Sequence, residues 1–239
     1  MEQLLTLMRL TALANFLAFS VGGEAVSGQR ELQVFTHGQG DFARLQVDGS
    51  FDGHGVDLLR CSMRGVGWPY SLSQAVMARK ERLAQQGTMD IWFPSIVYGN
   101  ETRLARLAFP IGEMAIHWYV RNGADLDPKS VAFKKAAKVS AFPGSAPSRI
   151  LLAEGFNVQP GTDDENTIVL WLMEGRLDAF LSANFETILK PRARELLESQ
   201  VRRTLYKKFD VGFEFTSHFA QRYPGFAARF QKALNACRQ

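Results

Sequence analysis

Few residues in this chain have the types and spacing that chemistry demands. The four histidines (His37, His54, His117, His218) show no i, i+4 pairing or other ligand spacing, so no metal site is expected. The two cysteines cannot make a zinc finger or an iron–sulfur cluster. Asp90 and Asp178 end near strands, but lone carboxylates so far apart in sequence do not suggest acid–base work. Ser145 sits between Gly144 and Ala146, where a turn enters a helix. A nucleophile elbow would need a glycine after Ala146, and Pro147 stands there instead. Two roles are left for Gly144-Ser145-Ala146: an anion site, in which exposed backbone N–H groups are helped by the Ser145 hydroxyl, or a plain helix cap. The implied chemistry is binding. Trp68, Trp92, Tyr98, Trp118 and Phe142 are candidate cleft walls, with Trp92 read as core and Tyr98 and Phe142, at strand ends, the better candidates.

The elements that must position these groups alternate. Glu31–Thr36 reads as a strand, followed by a Gly-rich loop. Val56, Leu59 and Met63 mark a helix ending at Gly65, and Ser71 with Gln74 is a capping-box pattern opening another that stops at Gly87. Met89–Phe93 (MDIWF), apolar but for Asp90, reads as a strand covered on both faces. Further strands are expected near Met114–Val120, Val139–Phe142, Phe156–Val158, Leu177–Leu181, Thr204–Phe209 and Gly212–Thr216. Helices fall between them, and a last one spans Gly225–Cys237. This order predicts an α/β fold of two similar lobes, each a mainly parallel sheet flanked by helices. Ligands of parallel sheets sit beyond the carboxyl ends of the strands. That rule selects the loops Thr36–Phe42, Pro94–Arg103, Pro143–Ala146 and Ser182–Glu186, two from each lobe, facing a shared cleft. His37 falls in the first loop and is a candidate ligand contact.

At 239 residues with 46% hydrophobic and 22% charged content, the chain is an ordinary globular protein, neither disordered nor multi-spanning. A net charge of +4, spread along the chain, gives no reason to expect nucleic acid. Leu10–Val21 is a 12-residue apolar stretch followed by small residues, so residues 1–27 read as a signal peptide cleaved after Ser27. No cysteine follows it, which argues against a lipoprotein. Its removal takes Arg9, Glu2 and Glu24 and leaves a mature charge of +5. Export permits a disulfide. Cys237 lies on the apolar stripe Phe226, Phe230, Ala233, Leu234, so a Cys61–Cys237 bridge is expected, the alternative being two buried thiols that never meet.

Four segments in order resemble the bacterial periplasmic solute-binding proteins of the polar-amino-acid class (family 3). They are DGHGVDLL from Asp52, the run from Gly87 (GTMDIWFPSIV, then ETR, then LAFP), KVSAFPGSA from Lys138, and EGRLDA from Glu174. The resemblance covers about residues 31 to 237 and implies a two-lobed, type II binding-protein fold. It places Arg103 where the family has an arginine that takes a ligand carboxylate, with Arg106 a surface residue. The physics fits, since a guanidinium fork donates to both carboxylate oxygens at once. Two departures stand out: the spacing from Asp90 to Arg103 is one residue longer than the family's, with Gly99-Asn100 interrupting it, and Ala183 replaces the aspartate that pairs with a ligand ammonium. Asn184 or Glu186 is the stand-in. The resemblance therefore implies a monomeric periplasmic protein that delivers a small anionic or amino-acid-like solute to a membrane ABC transporter permease, with no cofactor. Gly144, Ser145 and Ala146 close on the solute from the second lobe. The alternatives are a binding-protein fold acting as sensor for a signalling receptor, or a dehydratase-type enzyme with Glu186 as its acid. Lobe 1 is expected to comprise 31–114 plus 217–239 and lobe 2 to comprise 122–209, with hinge strands near 115–121 and 210–216.

Overall fold

The computed structural model describes residues 30–238 except Gln39 and Asn184, and all of Thr187 but its side chain. The expected signal peptide lies outside the described residues. From Leu32 the chain builds β1 (Leu32–Thr36), a short hairpin of β2 (Arg44–Leu45) and β3 (Phe51–Asp52), α1 (His54–Val66) and β4 (Tyr70–Gln74). A 3-10 turn at Met77–Arg79 runs into α2 (Lys80–Gln85), and β5 (Ile91–Ile96), α3 (Glu101–Leu104) and the long β6 (Leu107–Arg121) follow. The second lobe carries α4 (Val131–Ala136), β7 (Val139–Ser140), α5 (Ala146–Ala153), α6 (Glu165–Met173), β8 (Ala179–Ser182), a 3-10 turn at Glu186–Ile188 and α7 (Pro191–Gln200). The chain returns through β9 (Val201–Phe215) and ends in α8 (Ser217–Arg222) and α9 (Phe226–Cys237).

Seven strands form one sheet in the order β4-β1-β5-β9-β6-β8-β7. Pairing is parallel within each lobe, β4/β1/β5 in the first and β7/β8 in the second. Two antiparallel strands stitch the lobes together. β6 and β9 pair from Leu107 opposite Glu214 to Arg121 opposite Val201, so the sheets of the two lobes are continuous through this ribbon. Each of the six residues of β5 is buried, as its apolar run requires.

Several local expectations are corrected. Tyr70–Gln74 is a strand, not the start of a helix: it pairs in parallel with β1, and the Ser71 hydroxyl donates to Gln33 instead of capping. Sheet pairing overrides the local cap signal, and helix begins only after Val76. Thr204–Phe209 and Gly212–Thr216 are not two strands but one, β9. Gly212 does not break it; a Cβ there would lie 2.4 Å from the Ala108 carbonyl oxygen, so glycine permits the close approach of β6 where the register shifts. Phe156–Val158 forms only a single bridge, from Val158 to Val139. The expected loop after Phe93 starts late, since β5 continues through Pro94 to Ile96, and α3 lies inside it.

The first lobe's core is aromatic. Phe213 and Phe215 of β9 pack against Phe226 and Phe230 of α9, with ring centroids 5.1 to 5.6 Å apart. Each fully buried phenylalanine contributes about 1.5–3 kcal/mol. Helix α9 also lies on α1, where Gly65 lets it approach: a Cβ on Gly65 would sit 3.0 Å from that of Ala233. Across this contact Cys61 and Cys237 are joined, their Cα atoms 6.0 Å apart.

Candidate functional site

Where the two lobes face each other, the first presents a cluster of charge. Asn100 caps α3 by accepting the Arg103 amide at 3.1 Å. Gly99 precedes it at φ +121°, with its missing Cβ 3.1 Å from Arg103 Cδ. Gly99 and Asn100, which interrupt this stretch, thus fold the Arg103 side chain back over its own loop. One guanidinium nitrogen donates to the carbonyls of Ile96 (2.9 Å) and Tyr98, and the other to Ser95 Oγ (3.0 Å) and Glu214 Oε2 (3.2 Å). Four of its five N–H bonds are spoken for.

Glu214, on β9, is the centre. Its Oε2 also accepts from Lys80 Nζ at 2.8 Å and Ser95 Oγ at 2.5 Å. The side chains of Arg103, Glu214 and Lys80 are only 17%, 13% and 11% exposed. Burial works to raise the Glu214 pKa, but the charges of Lys80 and Arg103 outweigh it and hold the carboxyl far below the usual range. Burial lowers the pKa of Lys80 despite the opposing pull of Glu214. The Lys80 ammonium also lies 5.3 Å from the centre of the Trp92 ring, and Trp92 is 6.5 Å from the ring of His37. Burial pushes His37 down to about 4.

The second lobe answers with the loop entering α5. Ser145 caps that helix, its Oγ accepting the Ser148 amide at 3.2 Å. Pro147 has no N–H, so the Ala146 amide is the first-turn donor without an intrahelical partner. Gly144, at φ +72°, lies against the first lobe; a Cβ on it would sit 3.1 Å from the Met77 carbonyl oxygen. One helical turn on, Arg149 donates to the Gly144 carbonyl at 2.9 Å and acts electrostatically on Glu214 and Arg103. Two cations, Lys80 and Arg103, thus contact one inner carboxylate, and Arg149 and the exposed Glu81 act on the same cluster through longer-range electrostatics. The junction carries surplus positive charge.

The residues expected at the cleft are divided. Arg103, Gly144, Ser145, Ala146 and His37 meet at or beside this junction. Tyr98 lends it a carbonyl, while its ring packs edge-on to Phe209 at 6.0 Å. Phe142 packs on Phe185 at 5.7 Å. Glu186 is engaged elsewhere, accepting from Tyr119 Oη at 2.8 Å and Arg203 at 2.9 Å. Burial acts to raise its pKa, but backbone and side-chain hydrogen bonds prevail and hold it below the ordinary value. Asn184 lies outside the described residues. Trp68 is buried, packed on Tyr223 and Phe226. Trp118 is buried against Phe133 and Phe156. Arg106 is not a plain surface residue, since it is partly buried and donates to the Phe215 carbonyl at 2.7 Å.

Sequence reasoning missed Lys80, Ser95, Arg149 and Glu214. One signal was present: in GFEF a carboxylate interrupts an apolar strand, which buried sheet tolerates only with a partner. Two shallow grooves, of about 450 Å³ along α7 and about 440 Å³ beside Cys237 and Pro110, are not lined by the charged cluster. Among the described residues, no group of three or more His, Cys, Asp or Glu is placed to hold a metal, and no helix is long and apolar enough to cross a membrane.

Two lobes, parallel sheets and a pair of crossing strands define the type II periplasmic-binding-protein fold. Solved structures agree. The chain matches a mutant of the arginine-binding protein ArgBP from T. maritima with a TM-score of 0.61 at 17% identity, covering 87% of this chain and 89% of that one. The arginine-, lysine-, histidine-binding protein ArtJ from Geobacillus stearothermophilus gives the same figures: 0.61, 17%, 87% and 89%. An ancestral amino-acid-binding protein, a precursor of cyclohexadienyl dehydratase, matches with a TM-score of 0.60 at 15% identity over 87% and 89% of the chains. These neighbours are amino-acid-binding proteins, the group that the sequence motifs resemble; at such identities the likeness is one of fold. No family model and no curated protein sequence matches the chain.

Proposed function

We propose that this chain is an exported solute-binding protein of the cell envelope that captures a small anionic solute between its lobes and delivers it to an ABC transporter permease. One observation carries the reading: Lys80 and Arg103 both contact a single carboxylate, Glu214, while Arg149, on α5 across the junction, adds a third positive charge to the same electrostatic field, leaving charge that an anion would neutralise. Ser145 and the Ala146 amide lie on the same side as Arg149 and suit the same group. The lobes would comprise 31–114 with 217–239, and 122–209. Closure would be a rigid-body movement about the ribbon near 115–121 and 210–216. The protein is read as a monomer in the periplasm.

A thermal-shift screen over carboxylates, amino acids and phosphorylated metabolites tests this. A ligand-induced rise is expected; silence across the whole panel would refute capture. With the solute in hand, Arg103→Ala and Arg149→Ala should each weaken binding more than about thirtyfold, since removing one partner of a buried charge pair costs about 2–5 kcal/mol. Arg103→Lys should recover only part, because an ammonium lacks the planar fork. A second reading, a sensor for a signalling receptor, is favoured by the Arg103–Glu214 pair, which satisfies the arginine without a ligand. Turnover of a panel member would instead favour the dehydratase-type reading, whose acid candidate, Glu186, is tied to Tyr119 and Arg203.

A further inference from the structure

The arginine expected to receive a solute's carboxylate already holds one. Both terminal nitrogens of Arg103 are used, on Ile96, Tyr98, Ser95 and Glu214, and Lys80 and Ser95 fix the same Glu214 oxygen. Every one of these groups lies on α2, β5, the loop and helix that follow it, or β9, and none comes from α5 across the junction. Among the described residues no donor reaches the other oxygen, Oε1. From this geometry we infer that Glu214 is a resident anion, occupying the solute's place on Arg103 and Lys80, and that it restricts the site to solutes carrying at least two negative charges.

The physical argument is one of competition. A monocarboxylate that displaced Glu214 would exchange one carboxylate for another and gain no net charge interaction. It would also lose to an attached competitor, whose effective concentration is on the order of millimolar or more even for a flexible tether, and Glu214 is fixed on a strand. A dianion changes the balance. One negative group can meet Arg103 and Lys80 while the second meets Arg149 and the Ala146 amide, cations that Glu214 alone leaves under-neutralised. The solute class is therefore dicarboxylates or a doubly charged phosphate group, and simple amino acids are disfavoured twice: their single carboxylate cannot displace Glu214, and their ammonium meets a cationic junction. This rests on the anion-capture reading.

The test compares wild type with Glu214→Gln, using acetate, succinate and inorganic phosphate at constant ionic strength, with chloride as the control. Binding is read by titration calorimetry and by the thermal midpoint. Wild type should respond to succinate or phosphate and not to 10 mM acetate, whereas Glu214→Gln should bind acetate at least tenfold more tightly than wild type does. Ser95→Ala keeps the charge but removes a hydroxyl that holds Oε2, and should shift acetate affinity in the same direction by a smaller factor. It decides the matter if Glu214→Gln does not fold. Equal acetate binding by wild type and the variants overturns the inference, and so does a failure of all three anions to favour the variants. Capture itself is judged separately, because the metabolite screen uses wild type alone.

Discussion

Lowering the pH should destabilise this protein before its carboxylates titrate, through His37. Burial holds this imidazole near pKa 4, against an ordinary 6.5. Between those values the unfolded chain binds a proton that the folded protein refuses. Stability is therefore intact above about pH 6.5 and lost as pH falls toward 4, with a steepest slope of about 1.4 kcal/mol per unit. The full shift amounts to about 3 kcal/mol, a large share of the 5–15 kcal/mol typical of a domain. Urea denaturation at half-unit steps from pH 7.5 to 4 would read it as a fall in midpoint of about 1 M. His117 is also shifted down by burial, so the decisive comparison is with His37→Gln, which should lose most of the slope in this window. Identical slopes for wild type and variant would show that His37 is as solvated in the folded protein as in the unfolded chain. Glu214 acts lower: its depressed carboxyl contributes stability that is full above its ordinary pKa of 4.5 and lost below it.

Other outcomes follow from the framework. The Cys61–Cys237 bridge spans a sequence separation of 176, for which chain entropy gives about 5 kcal/mol. Reduction and alkylation should thus lower the melting temperature by about 10 °C or more in calorimetry, while buried Phe226, Phe230 and Leu234 keep α9 docked; a drop under about 3 °C would refute this. Gly144→Ala places a side chain at φ +72° and within 3.1 Å of the Met77 carbonyl oxygen, so it should separate the lobes. A larger radius of gyration in X-ray scattering is expected, and an unchanged profile with an unchanged melting temperature would count against the lobe contact.

How far the sequence was legible depended on whether a signal was local. The apolar run of β5 and the stripe on α9 announce themselves, because burial writes directly into residue type. The cap pattern at Ser71 misled for the complementary reason: local hydrogen bonding competes with pairing to β1, and only the latter satisfies a whole strand of backbone groups. The single strand β9 read as two, because nothing nearby in sequence shows that it runs unbroken along β6, with Gly212 against Ala108. The loop bearing Ser145 was visible as a turn into a helix. Arg103 was visible through its motif, but its partner Glu214 lies 111 positions away, beyond reach of spacing arguments. Lys80 carries no local signal, and only the fold shows it turned inward.

The place of β9 in the sheet has a consequence for how the molecule comes into being. β5 and β6 are successive in the chain, yet β9, the last strand to be made, lies between them. Until residues 201–215 emerge, both strands keep an unpaired edge, and the fully buried β5 has nothing beside it except β1. Pairings of such long sequence separation form slowly. Neither lobe can complete its sheet until this strand is made. β9 is thus the single segment whose pairing closes the sheets of both lobes at once.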